Sequence, residues 1–232
     1  MIVEDLTWDS EFFGFKIGKI DKLEQYNLSG SNLLQTSNIH ELVYVFSNYR
    51  LEDTPLMSLV DIKLDYKRVI NCNELFNNEN KEIVFYNTEY SFLINDIYEL
   101  AFISGQYSRF KTDENFKNDS FKKLYKKWID NSIKSDNIEL ILYVHDENVL
   151  GFVSVENLGN NIRIGLIAVD SRHQGKQIGS KLMMSVFNYA KNKKIFKVFV
   201  ATQKENKNAC NFYLKNKFQL HSEKFIYHIW NK

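Results

Sequence analysis

Only two cysteines occur, Cys72 and Cys210; they lie far apart and without metal-ligand spacing, so a reduced compartment is expected and no metal centre. An excess of either charge is also missing. Thirty basic residues stand against 29 acidic ones, a formal net charge of +1, which argues against a general nucleic-acid or membrane-surface binder. No apolar run approaches the length that crosses a bilayer, and Met1, Ile2, Val3, Glu4, Asp5 and Leu6 carry neither a basic flank nor a long apolar segment. A soluble, cytoplasmic protein is therefore expected. With 44% hydrophobic and 15% aromatic residues, the 232-residue chain has ample material for one large or two small cores.

Two familiar phosphate fingerprints are absent as well: there is no G-x-x-x-x-G-K-[ST] and no G-x-G-x-x-G. In their place stands a different junction. Ile162, Ile164, Leu166, Ile167 and Val169 make a β-branched, apolar strand; a basic, glycine-bearing turn follows; then Ile178, Leu182, Val186 and Ala190 recur every four residues, as on one face of a helix. Such a junction directs unpaired backbone N–H groups and the positive end of the helix dipole into the turn, which suits a phosphate. Gly175 and Gly179 permit close approach to the main chain, and Arg172 and Lys176 add positive charge.

Short strands are expected over residues 12–20, 41–46 and 58–64; on the last, Leu59, Asp61 and Lys63 share one face and Val60, Ile62 and Leu64 the other. The aromatic opening around Trp8, Phe12 and Phe13 fits core packing better than a binding surface. An asparagine-rich stretch, residues 71–81, is the expected connection between a small N-terminal α/β domain, 1–75, and a larger one, 76–232. In the larger domain a helix over 95–102 is capped by Asn95, and another over 120–133 buries Phe121, Leu124, Trp128 and Ile129 and turns its lysines to solvent. Strands at 139–145 and 149–156 join through a hairpin at Asp146, Glu147 and Asn148. A strand at 197–202, a helix at 206–217 and a strand at 225–230 complete the chain. The order ααβββαβαβ gives an α+β class.

A second informative site lies in the 206–217 helix. Seven residues separate Asn206 from Tyr213, which brings both to nearly the same face two turns apart. Each also has a plain structural reading, Asn206 as a helix cap and Tyr213 as a core aromatic with a hydrogen-bonded tip.

Gln174, Gly175, Lys176, Gln177, Ile178 and Gly179 resemble the [QR]-x-x-G-x-[GA] pyrophosphate turn of the GCN5-related N-acetyltransferases (GNATs), with Gln177 where that family usually has its middle glycine. A side chain is tolerable there if its φ is helical. Asn206, Ala209 and Tyr213 resemble the family's N-x-x-A-x-x-x-Y helix, with Lys217 replacing the glycine before Phe218. Across nearly the whole chain, the order of Trp8-Asp9, Phe12-Phe13-Gly14, Ser108-Arg109-Phe110, Gly151-Phe152-Val153-Ser154 and Val200-Ala201-Thr202-Gln203 looks like the bacterial TDP-fucosamine acetyltransferase group.

That resemblance implies a GNAT fold, a mixed, mostly antiparallel sheet flanked by helices, preceded by a partial GNAT-like domain and able to dimerise. It implies acetyl-coenzyme A as co-substrate and no metal, with Ile167, Ala168 and Val169 on a splayed strand, residues 174–179 at the pyrophosphate and Asn206 on the coenzyme arm. Tyr213 is then the general acid for direct attack by an amine, foremost the 4-amino group of a nucleotide-linked amino-dideoxyhexose destined for surface polysaccharide. For that sugar nucleotide, Arg109 offers a phosphate partner, Tyr107 or Phe110 a stacking ring, and Gln203 a polar contact. Glu156 is a candidate base, with a water chain or a merely solvent-facing carboxylate as alternatives. Cys210 reads as packing. Two other classes stay open: a GNAT for another small amine or a protein N-terminus, and a non-catalytic coenzyme A sensor.

Overall fold

A computed structural model describes residues 3–21, 39–52, 54–55, 57–76, 80–117 and 119–231. In chain order the first elements are β1 (Glu4–Asp5), α1 (Thr7–Phe13), β2 (Ile17–Ile20), β3 (Leu42–Ser47), β4 (Met57–Val69) and β5 (Ile83–Phe85). A 3-10 turn (Thr88–Leu93) leads into α2 (Ile94–Ser104), α3 (Arg109–Thr112) and α4 (Ser120–Lys134). Then come β6 (Ile138–His145), β7 (Asn148–Asn157), β8 (Ile162–Val169), α5 (Ile178–Asn192), β9 (Lys197–Gln203), α6 (Lys207–Lys215) and β10 (Gln219–Trp230).

The chain divides into two units. Met1–Leu64, Gln203–Glu205 and Ser222–Lys232 make the first, and Asp65–Thr202 with Asn206–His221 make the second. In the first, β1 pairs antiparallel with β2, β2 parallel with β3, and β3 antiparallel with the end of β10. Its core gathers Ile20, Val43, Val45, Leu51, Met57, Tyr227 and Ile229. The Tyr227 hydroxyl accepts the Leu51 N–H at 2.6 Å and donates to the Leu51 carbonyl at 3.2 Å, so the buried phenol is satisfied.

The alternation over residues 12–20 is split here. Thr7–Phe13 is a helix closed by Gly14 at φ 80, and only Ile17–Ile20 is extended. Ser10 explains the break: its hydroxyl accepts from the Ile17 N–H at 2.9 Å and donates to the Leu6 carbonyl at 2.7 Å, local bonds that compete with strand pairing. None of the α1 residues is buried, and Trp8 is 42% exposed, stacked on Phe12; the opening is not core as expected.

In the second unit β5, β6, β7 and β8 form consecutive antiparallel neighbours, and β9 joins β8 in parallel. The short β5 was not legible in the sequence. Asn95 does not cap α2; Asn87 accepts the Glu89 N–H at 2.8 Å and starts the 3-10 turn before it. On α4 the lysines face out as expected, but Tyr125, not Trp128, joins Phe121, Leu124 and Ile129 in the buried set. Of the asparagine-rich stretch, Asn77, Asn78 and Glu79 lie outside the described residues. Glu74 within it receives the Arg68 guanidinium, which also donates to the Asn216 carbonyl at 2.8 Å and lies 4.0 Å over the Phe187 ring.

Helix α6 ends in a Schellman arrangement. The Phe218 N–H donates to the Tyr213 carbonyl and the Lys217 N–H to the Leu214 carbonyl, both at 3.0 Å, and the Phe218 ring packs 5.8 Å from that of Tyr213. This closure forces Lys217 to φ 61, a left-handed conformation that costs a side-chain-bearing residue about 1 to 2 kcal/mol. Lys217→Gly is accordingly expected to stabilise the protein by about 1 kcal/mol, raising the melting temperature by about 2 to 4 °C in a calorimetric scan.

Candidate active site

The β8–β9 ladder runs from Ile162↔Val198 to Ile164↔Val200 and, among the described residues, goes no further, so the two strands part beyond Ile164. On its other side β8 stays paired: Gly151, Phe152 and Val153 oppose Val169, Ala168 and Ile167, and the Asp170 N–H donates to the Leu150 carbonyl at 2.9 Å. Antiparallel alternation then turns the N–H groups of Ala168 and Asp170 toward β7 and those of Ile167 and Val169 toward the opened side. The expected trio thus divides: Ile167 and Val169 offer donors, whereas Ala168 is committed to the ladder.

The turn after β8 is tightly held. Asp170 accepts the Arg172 N–H at 2.8 Å and both ends of its guanidinium, Nε at 3.0 Å and Nη2 at 2.8 Å, with His173 Nδ1 at 3.4 Å. These bonds hold the Asp170 carboxyl far below the usual carboxylate range, the Arg172 side chain first, against a smaller opposing effect of burial. Arg172 therefore braces the turn and its charge is largely matched, so the expected cationic contribution falls to Lys176, which is exposed. A depressed carboxylate pKa contributes stability above the unfolded value, about 3.9, and loses it as pH falls toward the folded one. Asp170→Asn should weaken the fold to urea at pH 7, with the difference from wild type narrowing below about pH 4.

Gln174 reaches back with its amide to the Val169 carbonyl at 3.4 Å. Gly175 sits at φ 79, and a Cβ there would meet nothing within 4 Å, so its main chain faces open space. Gln177 corrects an expectation: its φ is 63, left-handed and not helical, the conformation for which a glycine is best suited. It precedes α5 without capping it through its side chain, so the first-turn N–H groups of the 15-residue helix, at Ile178, Gly179 and Ser180, keep their capacity for an anion. Helix α6 differs. There Asn206 caps with its Oδ1, accepting the Ala209 N–H at 3.1 Å, and its amide NH2 is the end that can meet a ligand.

Gly179 joins the two motifs. A Cβ on it would lie 3.3 Å from the Phe212 ring and 3.7 Å from Val169, so the opened end of β8, the start of α5 and the residue before Tyr213 meet at one place. Phe212 was not singled out by its sequence; only its adjacency to Tyr213 pointed to it. Tyr213 is 3% exposed, its ring 5.8 Å from Tyr66 and 5.7 Å from Phe212. Burial pushes its phenol above the ordinary tyrosine range, with Cys210 and Tyr66 adding. Tyr66 is itself pushed up to about 12 by burial, then by its hydrogen bond with Cys210.

Each residue expected to meet a sugar nucleotide has its own place in the fold. Phe110 is 7% exposed and packs edge-on against Phe116 and Trp128, so it belongs to the core and cannot stack on a base; Tyr107, half-buried, keeps that option. The Arg109 guanidinium lies 4.3 Å over the Phe110 ring. Glu156 stands opposite Arg163 in register and pairs with it at 3.7 Å. Gln203 ends β9 and belongs to the first unit. Among the described residues no group of His, Cys, Asp or Glu is placed to hold a metal ion, and no helix is long and apolar enough to cross a membrane.

Residues 95–218 match the sequence profile of the acetyltransferase (GNAT) family, and the chain belongs to that family. Its co-substrate is accordingly acetyl-coenzyme A, and the class of reaction is acyl transfer to an amine. The chain is 26% identical to a dTDP-fucosamine acetyltransferase of Escherichia coli O6:H1 (strain CFT073) over 221 residues, 92% of each protein. It is 25% identical over 134 residues to the spore coat polysaccharide biosynthesis protein SpsD of Bacillus subtilis (strain 168), covering 58% of this chain but only 46% of that one, so it spans less than half of SpsD. Among solved structures, a functionally unknown conserved protein from Staphylococcus epidermidis ATCC 12228 superposes with a TM-score of 0.68 at 15% identity, covering 94% of this chain and 85% of that one, a likeness of fold alone.

Proposed function

We propose that this acetyltransferase acylates the amine of a nucleotide-linked amino-dideoxyhexose, foremost a 4-amino group, in the making of a surface polysaccharide. The observation that carries this reading is the end-to-end match, over 92% of both chains, to a protein named dTDP-fucosamine acetyltransferase; the name of the spore coat relative points to the same kind of product.

Acetyl-coenzyme A supplies an acetyl group already activated as a thioester. The chain's part is to hold it, polarise its carbonyl and manage one proton. The Ile167 and Val169 N–H groups are the donors for the pantetheine and the carbonyl oxygen, because β9 leaves them on the opened side. The main chain of residues 175–180 and the α5 dipole receive the pyrophosphate, and the Asn206 amide the arm between. Tyr213 gives its phenolic proton to the departing sulfur; a buried phenol stays protonated throughout the neutral range and so remains a donor. On the acceptor side, Arg109 pairs with a phosphate and Tyr107 stacks on the base. Glu156 takes the amine's proton only if it is released from Arg163, which favours water as the first acceptor.

Thiol release should be followed with acetyl-coenzyme A against nucleotide-linked 4-amino and 3-amino dideoxyhexoses, a polyamine and a peptide N-terminus. A 4-amino sugar is expected to turn over at least tenfold faster than the others. Turnover of the polyamine or peptide, with the sugars inert, would replace this reading by that of another amine.

A further inference from the structure

Ser154 on β7 is 4% exposed and faces the one irregular stretch of β8. Val153 opposes Ile167, but Val155 opposes Ile164, so a single residue on β7 stands against two, Gly165 and Leu166, on β8. That is a β-bulge, and a bulge leaves a main-chain N–H without its ladder partner. Here the Leu166 N–H donates instead to Ser154 Oγ at 2.7 Å. The same oxygen lies 2.7 Å from where a Cβ on Gly165 would stand, whereas the next atom, Ser154 Cβ, is 3.9 Å away. The hydroxyl therefore closes the bulge and also requires the glycine.

A one-residue bulge also changes which N–H groups of the strand face which neighbour. Immediately past it the β7–β8 ladder resumes in the phase that sends Ile167 and Val169 to the opened side. We propose that Ser154 is a positioning residue for acetyl transfer: its hydroxyl fixes the bulge and so aims the Ile167 N–H at the acetyl carbonyl oxygen. This rests on the reading of the Ile167 amide given above, but not on the identity of the acceptor amine.

Isotope-edited infrared spectra of the thioester carbonyl, with acetyl-coenzyme A labelled at that carbon, report the polarisation without any acceptor. The wild-type protein should show the bound band displaced below its position in water. Ser154→Ala should lose most of that displacement while coenzyme A affinity, measured by calorimetry, stays within about threefold, because the pyrophosphate turn is untouched. Gly165→Ala, which presses on the same oxygen, should lose it too, and the double variant should behave like Ser154→Ala alone, since the clash has gone. A band that keeps its full displacement in Ser154→Ala overturns the proposal and leaves the hydroxyl a space-filling group. An undisplaced band in the wild type overturns it together with the polarising role of the amide, which tells the two failures apart.

Discussion

Tyr213→Phe is expected to lower kcat by about 10² to 10⁴-fold and to leave acetyl-coenzyme A affinity within about threefold of wild type. The ring is already packed on Tyr66, Phe212 and Phe218, so phenylalanine keeps those contacts and loses only the O–H. The Schellman closure at Lys217 and Phe218 takes the carbonyl of Tyr213 itself, which fixes the main chain that carries the phenol. Since burial raises the pKa, the donor is protonated at all pH values below it, and no basic limb from Tyr213 should appear in the kcat profile up to about pH 10. Steady-state kinetics from pH 6 to 10 check both points. A variant that retains kcat within a factor of two would remove Tyr213 from the proton's path.

Gly175→Asp should weaken acetyl-coenzyme A binding by about 10 to 100-fold, read by calorimetry, with little change in melting temperature. Aspartate adopts the left-handed conformation more readily than most side chains, so φ 79 is bearable for it. Open space around the missing Cβ gives the carboxylate room. Its charge would then stand beside the N–H groups at the start of α5, where a pyrophosphate is to bind, and like charges in a partly enclosed turn are costly. An unaltered affinity would place the pyrophosphate elsewhere.

The junction from β8 to α5 was legible because its signals are local: a β-branched run, two glycines and apolar residues every fourth position. The part that escaped was also local, but conformational. Gln177 and Lys217 both read as replacements of family glycines, and both take positive φ, 63 and 61, a conformation that suits glycine and strains a side-chain-bearing residue in a way that residue type alone does not reveal. Asn206 was legible as a cap because a short amide side chain at a helix start is placed to accept a first-turn N–H. Phe110 misled because an aromatic beside an arginine reads equally as a stacking platform or as core, and its packing against Phe116 and Trp128 comes from residues 6 and 18 positions on. Ser154 entered only within the Gly151-Phe152-Val153-Ser154 resemblance and with no role of its own: its role depends on register with β8, which periodicity within one strand does not encode. The opening helix failed for a related reason, since two hydrogen bonds of Ser10 outweigh the alternation around it.

The placement of the co-substrate is tested most directly by titrating the ¹⁵N-labelled protein with coenzyme A and following its amide resonances. Ile167, Val169, Gly175 and Gly179 are predicted to show the largest changes, with Ala168, whose N–H is held by β7, changing less than its two neighbours. Large changes confined to other segments, with these four amides unmoved at saturation, would contradict the account.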